Sequence, residues 1–310
     1  MAQLVSPAGR KLVAGIPMVW LTALFLIPFL IVLKISFSEV RLALPPYAPL
    51  FVAHHGVPVP ELHLSNYAFL LTDPLYASAL VYSLKVAALS TLACLLIGYP
   101  MAYAIARSSP TRRSVLLMLV MLPFWTSFLL RVYAWIGLLQ SNGVINNVLL
   151  ALGIVHQPLV MLQTDFSVYI GIVYSYLPFM VLPLYANLEK HDPTLLEAAA
   201  DLGARPFTRF LRITLPQSVA GIAAGSLLVF IPAVGEYIVP SLLGRTDQLM
   251  IGRVLSDEFF ENRDWPVASA VAIVMLILLV APILLLQRFE KDELEAAPQV
   301  AAPAEAKAPS

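Results

Sequence analysis

An all-α membrane protein with six transmembrane helices is the fold class the sequence predicts, and three observations predict it. The 310 residues are 59% hydrophobic and only 12% charged, where a soluble domain carries about 25% charged residues. Mean hydropathy is +0.82. Apolar runs of the length a bilayer demands, about 20 residues at about 1.5 Å each, occur six times. Alternation of apolar and polar residues over segments of about ten, the mark of a membrane barrel, is absent. Helices are then the solution left for satisfying backbone hydrogen bonds in lipid.

The elements follow in order. Residues 1–11 form a short cytoplasmic N-terminus ending in Arg10 and Lys11. The run at 12–37 starts like a signal peptide, but it is too long and lacks a small-x-small cleavage site, so it reads as an uncleaved first span. Residues 38–78 form a periplasmic loop whose Pro-rich part, 45–60, predicts extended chain; His54, His55 and His63 there lack the companion ligands of a metal site. A five-helix core occupies 79–287, with spans at 79–105, 115–139, 166–188, 219–243 and 266–287 and a cytoplasmic loop at 189–218. The Ala-, Glu- and Pro-rich end, 288–310, predicts a disordered cytoplasmic tail. Twelve Lys and Arg fall on the side of the two termini and four on the other, which places both termini on the cytoplasmic side.

Lys plus Arg and Asp plus Glu each number 19, so no global basic field exists for nucleic acid. Cys94 is the single cysteine, which excludes an internal disulfide and a Cys-based metal cluster. No G-x-x-x-x-G-K-[ST] phosphate cradle occurs; the chain is expected to bind no ATP or other cofactor itself. The spans contain no His and one deep carboxylate, Glu236, too little for an enzyme's acid–base pair. The outer loops hold more acid than base, among them Asp165, Asp257, Glu258 and Glu261. They read either as ordinary solvated charges or as an entrance that favours cationic solutes.

The loop HDPTLLEAAADLGARPFTRFLRITLPQS, 191–218, is long and ordered-looking. Asp192 is placed to cap a helix that opens with Pro193, 194–202 is a strong helix former, and Gly203 is a natural stop. The small surface of that helix suits docking into a groove of another protein; its arginines equally suit anionic lipid.

Glu197-Ala198-Ala199, then Gly203 three residues on, then Ile213 and Leu215-Pro216, resembles the E-A-A-x3-G-x9-I-x-L-P signature of permease subunits of ABC importers. The stretches RVYAWIGLLQSNGVINN (131–147), GIVYSYLPFMVLPLYANL (171–188), FIPAVGEYIVPSLLG (230–244) and MIGRVLSDEFFENRDWPVASA (250–270) resemble the permeases of putrescine and spermidine importers, in particular the larger permease subunit of putrescine systems. The resemblance implies a type I ABC importer permease fold and a coupling helix that docks on a separate ATPase through Glu197, Ala198, Ala199 and Gly203, with Arg205 as a charged neighbour. It implies a heterodimer with a second related permease, two ATPase subunits that hold ATP and Mg, and a periplasmic polyamine-binding protein.

A polyamine pathway needs carboxylates for ammonium groups and aromatic faces for cation–π contact. Glu236, between Pro232, Gly235 and Pro240, is the candidate carboxylate, in a span expected to kink or break, with Tyr237 beside it. Trp125 and Tyr174 are the candidate aromatics. Lys85 and Arg131 also lie in spans; a structural ion pair between Glu236 and either of them is the competing reading.

Overall fold

A computed structural model describes residues 7–54 and 57–296. It divides into two units, residues 1–273 and 274–310. The first unit opens with α1 (Pro7–Ser36), an apolar helix exposed on all sides from Ile16 to Ile31 except where its last turn ties down. There Ser36 Oγ and Tyr67 Oη lie 2.8 Å apart, and Asn66 Nδ2 donates to the carbonyls of Ser36 and Ser38, each at 2.9 Å.

The loop expected to be extended contains a hairpin, β1 (Phe51–His54) antiparallel to β2 (Val57–Pro60). After it come α2 (Ser65–Thr72) and α3 (Pro74–Ala106). Asp73 caps α3 by accepting from Leu75 N at 2.8 Å, with Pro74 in the first turn where its missing N–H costs nothing. Next are α4 (Pro110–Met121), a 3₁₀ turn (Leu122–Trp125), α5 (Phe128–Leu139), α6 (Val144–Ala151) and α7 (Asp165–Leu188).

Beyond α7 the chain leaves the bundle through α8 (Thr194–Asp201) and α9 (Pro206–Arg209). A π turn (Phe210–Thr214) and α10 (Leu215–Gln217) lead into α11 (Val219–Val234), with a bend of 64° between the lead-in and α11. Then come α12 (Ile238–Leu243), α13 (Ile251–Phe260) and α14 (Trp265–Ala296).

The centre of the first unit is a three-helix packing of α3, α7 and α11. Cys94, Ala102, Met180, Val181, Leu184 and Val229 are fully buried between them. Lipid offers apolar side chains no reason to leave it, so such helices associate by close packing and polar ties. Both are present. A Cβ on Gly225 would lie 2.8 Å from Met180 Sδ, so only glycine lets α11 approach α7 there. Tyr99 Oη and Ser218 Oγ lie 2.9 Å apart, and Ser218 Oγ passes its own proton to Thr214 O at 2.6 Å.

The all-α membrane class is what the structure shows. Among the described residues four helices are long and apolar enough to cross a membrane, or five if the bent pair at α11 is one span. The expected spans at 115–139 and 219–243 are each broken in the middle, and 265–280 is a shorter apolar stretch of α14. Prolines cause the breaks, because each removes a backbone donor and clashes with the preceding turn. In the second unit α14 stays helical to Ala296, so nine residues of the tail expected to be disordered, 288–296, form helix; Ala, Glu, Lys and Leu are strong helix formers. The remainder, 297–310, lies outside the described residues.

Candidate functional site

The breaks in two spans place Glu236 in the gap between α11 and α12 and Trp125 in a 3₁₀ turn between α4 and α5. Pro240 cannot donate to the carbonyl four residues before it, so α12 cannot continue α11 through Gly235 and Tyr237. The gap leaves the first amides of α12 without intrahelical acceptors. Glu236 fills that need: its Oε1 accepts from Ile238 N at 3.0 Å and Val239 N at 3.3 Å. Its Oε2 accepts a short hydrogen bond from Tyr176 Oη on α7. The positive end of α12 and three donors surround a carboxylate that is only 7% exposed.

Among the described residues no salt bridge joins Glu236 to Arg131 or Lys85. Lys85 is exposed on α3. Arg131 is buried, with its guanidinium carbon 5.4 Å from the centre of the Phe124 ring and 5.5 Å from that of Phe128. The physical reason is that two amides and a hydroxyl already stabilise the carboxylate.

Aromatic rings connect the two charged groups. Phe124 meets Phe179 edge-on at 5.0 Å, and Phe179 lies 6.0 Å from Tyr176, which holds Glu236. Tyr174 stands elsewhere on α7, edge-on to Trp135 at 5.6 Å. With Arg131, Thr126, Leu130, Trp135 and Leu138 it lines a groove of about 340 Å³. Tyr237 is 43% exposed at the start of α12, and Trp125 is 77% exposed in the 3₁₀ turn, where no ring contact holds it. Tyr176, Phe179 and Phe124 are the members that sequence reasoning passed over. A signal existed for two of them: Tyr176 and Phe179 are three residues apart, which puts them on one face of α7.

On the side of α13 the break is backed by a second close approach. A Cβ on Gly252 would lie 2.4 Å from Gly235 O and 3.0 Å from Glu236 O, so the start of α13 rests on the backbone of the break. Ile251 N donates to the buried Ser83 Oγ at 2.8 Å, tying the same turn to α3. Several outer acids are engaged rather than free. Tyr76 donates to Glu258 at 2.7 Å, Tyr82 donates to Asp165 at 2.9 Å, and Arg253 lies 3.7 Å from Asp257. Arg245 holds the Asp247 carboxyl below its usual range, while burial raises that of Asp264.

The third feature is α8. Asp192 Oδ1 accepts from Thr194 N at 2.9 Å, and this bond lowers the Asp192 pKa. The helix ends in a Schellman motif: Gly203 N donates to Ala200 O at 2.8 Å and Ala204 N to Ala199 O at 2.9 Å. Gly203 has φ +76, a left-handed conformation that side chains resist, and open space around it. Glu197, Ala198 and Gly203 are exposed, Ala199 is half-buried, and Arg205 is exposed next to Phe207. Arg209 Nη1 donates to Leu196 O at 3.2 Å and so ties α9 to α8. The result is a short helix held at both ends with a face of small side chains turned out.

The sequence family of binding-protein-dependent transport system inner membrane components matches residues 94–290, which include α8 and both breaks. The chain belongs to that family. It is 42% identical over 282 residues to the spermidine/putrescine transport system permease protein PotB of Haemophilus influenzae, covering 91% of this chain and 94% of that one. It is 45% identical over 216 residues to PotB of Escherichia coli, covering 70% and 78%. The fold is similar to that of a bacterial ABC transporter involved in the import of the acidic polysaccharide alginate, with a TM-score of 0.67 over 90% of this chain and 96% of that chain at 19% identity. Membership makes this chain a multi-pass permease subunit of a binding-protein-dependent ABC importer and not an enzyme.

Proposed function

We propose that this permease carries polyamines of the putrescine and spermidine class across the bacterial inner membrane, driven by separate ATPase subunits. One observation carries the reading: similarity along nearly the whole chain to permeases whose names specify spermidine and putrescine. The site agrees with it chemically. A flexible polycation needs a carboxylate and aromatic faces in a dry passage, and Glu236 with Tyr176, Phe179 and Phe124 provides both. Tyr237 and Trp125 extend the aromatic lining, while Tyr174 lines the separate groove beside Arg131.

The complex contains a second, related permease, two ATPases holding ATP and Mg, and a periplasmic binding protein that delivers the polyamine. Both termini face the cytoplasm, so α8 meets the ATPases through Glu197, Ala198, Ala199, Gly203 and Arg205. ATP-driven closure of the ATPases moves α8 and with it the bundle. The passage then opens toward the loaded binding protein, and Glu236 exchanges the Tyr176 hydroxyl for an ammonium group.

The test is uptake of labelled putrescine and spermidine by cells lacking this chain, with and without its restoration. ATP-dependent uptake of either polyamine that returns with the chain is the expected result. Uptake unchanged for both would discard the polyamine reading and favour another cationic solute for the same importer.

A further inference from the structure

Arg131 holds a charge that no carboxylate balances among the described residues. Its side chain is 9% exposed, its Nε and Nη1 are buried without an acceptor, and among the described residues no carboxylate reaches it. A guanidinium cannot shed its proton to escape burial. Charge inside a membrane span is expensive and faces a partner or a wet cavity by necessity. The rings of Phe124 and Phe128 soften the cost but accept no hydrogen bond of ordinary strength.

From these facts we infer that the groove beside Arg131 receives a carboxylate side chain of the second permease subunit, so that an intersubunit ion pair forms inside the membrane. The inference rests on the two-permease reading above. Three observations select this occupant. The groove opens on the face of α5 that carries Leu130, 66% exposed, and the exposed Leu129 and Tyr133, so an apolar surface surrounds the charge as a contact surface between spanning helices would.

Lipid phosphate is the wrong distance away. Arg131 lies eight residues from the Leu139 end of α5, about 12 Å along the axis. Its guanidinium stacks on Phe124 and Phe128, which precede it, so it turns away from that end instead of reaching for it. A second copy of this chain fits poorly as well: it would bring another Arg131, and its Glu236 is already held by Tyr176 and two amides. The transported polycation is repelled. A carboxylate on a different spanning chain is what remains, and it meets the guanidinium at Nη2, because Nε and Nη1 are enclosed by the chain's own atoms.

The experiment uses the assembled importer in native membranes, with the photocrosslinking residue benzoylphenylalanine in place of Leu130. The expected product joins this chain to the second permease, within a peptide that contains Asp or Glu inside a span. In parallel, Arg131→Leu lowers the amount of second permease that co-purifies by about tenfold or more, because it strands the opposing carboxylate, and Arg131→Lys lowers it less. A crosslink only to lipid, only to another copy of this chain or to no polypeptide overturns the proposal, as does normal assembly of Arg131→Leu. The crosslink is made with Arg131 intact, so it decides the matter even where Arg131→Leu fails to fold. It is also scored without reference to uptake, so a failed polyamine assignment and a failed ion pair are told apart.

Discussion

Tyr176 on α7 donates a hydrogen bond to Oε2 of Glu236, a residue 60 positions later that sits in the gap between α11 and α12. The bond ties a continuous span to a broken one at the buried carboxylate. A hydrogen bond to a charged group contributes about 1.5–3 kcal/mol. Removing it by Tyr176→Phe keeps the ring in the aromatic chain and loses only the hydroxyl. The expected outcome is a correctly assembled importer whose polyamine uptake falls by about tenfold or more. Wild-type uptake by Tyr176→Phe would show that the bond is dispensable for transport.

Glu236 has two separable properties, its charge and its capping of α12. Glu236→Gln keeps an oxygen able to accept from Ile238 and Val239 and removes the charge, so uptake should drop while the complex co-purifies normally. Glu236→Ala removes the cap as well and should lower thermal stability by about 1–2 kcal/mol. Loss of assembly in Glu236→Gln would assign the residue to structure alone.

Gly203 adopts φ +76 in open space, so a large side chain there meets nothing of its own chain. Gly203→Trp should insert into the membrane and fail to co-purify with the ATPase. Gly203→Asn, which tolerates the left-handed conformation, should retain more of the complex. A normal complex with Trp at this position would count against α8 as the coupling element.

Gly252 touches the carbonyl of Gly235, and a Cβ placed 2.4 Å from a backbone oxygen cannot be absorbed by a side-chain rotation. Gly252→Ala should therefore push α13 off the break, at about 1–3 kcal/mol, and disturb uptake together with stability. Thermal unfolding of the purified complex and the uptake assay check both. Unchanged values for the two would mean that α13 and the break move independently.

Much of this was legible beforehand. Helix α8 could be read residue by residue because its parts are local: Asp192 caps within two residues, and the helix ends through bonds from Gly203 to the carbonyl three positions back and from Ala204 to the carbonyl five positions back. Glu236 stood out as a lone carboxylate among prolines and glycine. The break in the span at 115–139 was missed although Pro123 lies within it, since long apolar runs look continuous when hydropathy is averaged. Trp125 was favoured for its expected place near mid-bilayer and is exposed, while Tyr176 was one tyrosine among several until the fold placed it.

Composition and local pattern therefore determined that the chain lives in a membrane, that it forms helices, that a short capped helix lies in the loop at 191–218 and that one carboxylate is out of place. These depend on how many apolar residues follow one another and on turns whose partners lie within a few positions. Tertiary structure alone decided which groups hold that carboxylate, and that Arg131 is left without a hydrogen-bond partner among the described residues. The reason is physical: a buried charge is stabilised by whichever donors converge on it from distant segments, and convergence is a property of packing that residue order does not display.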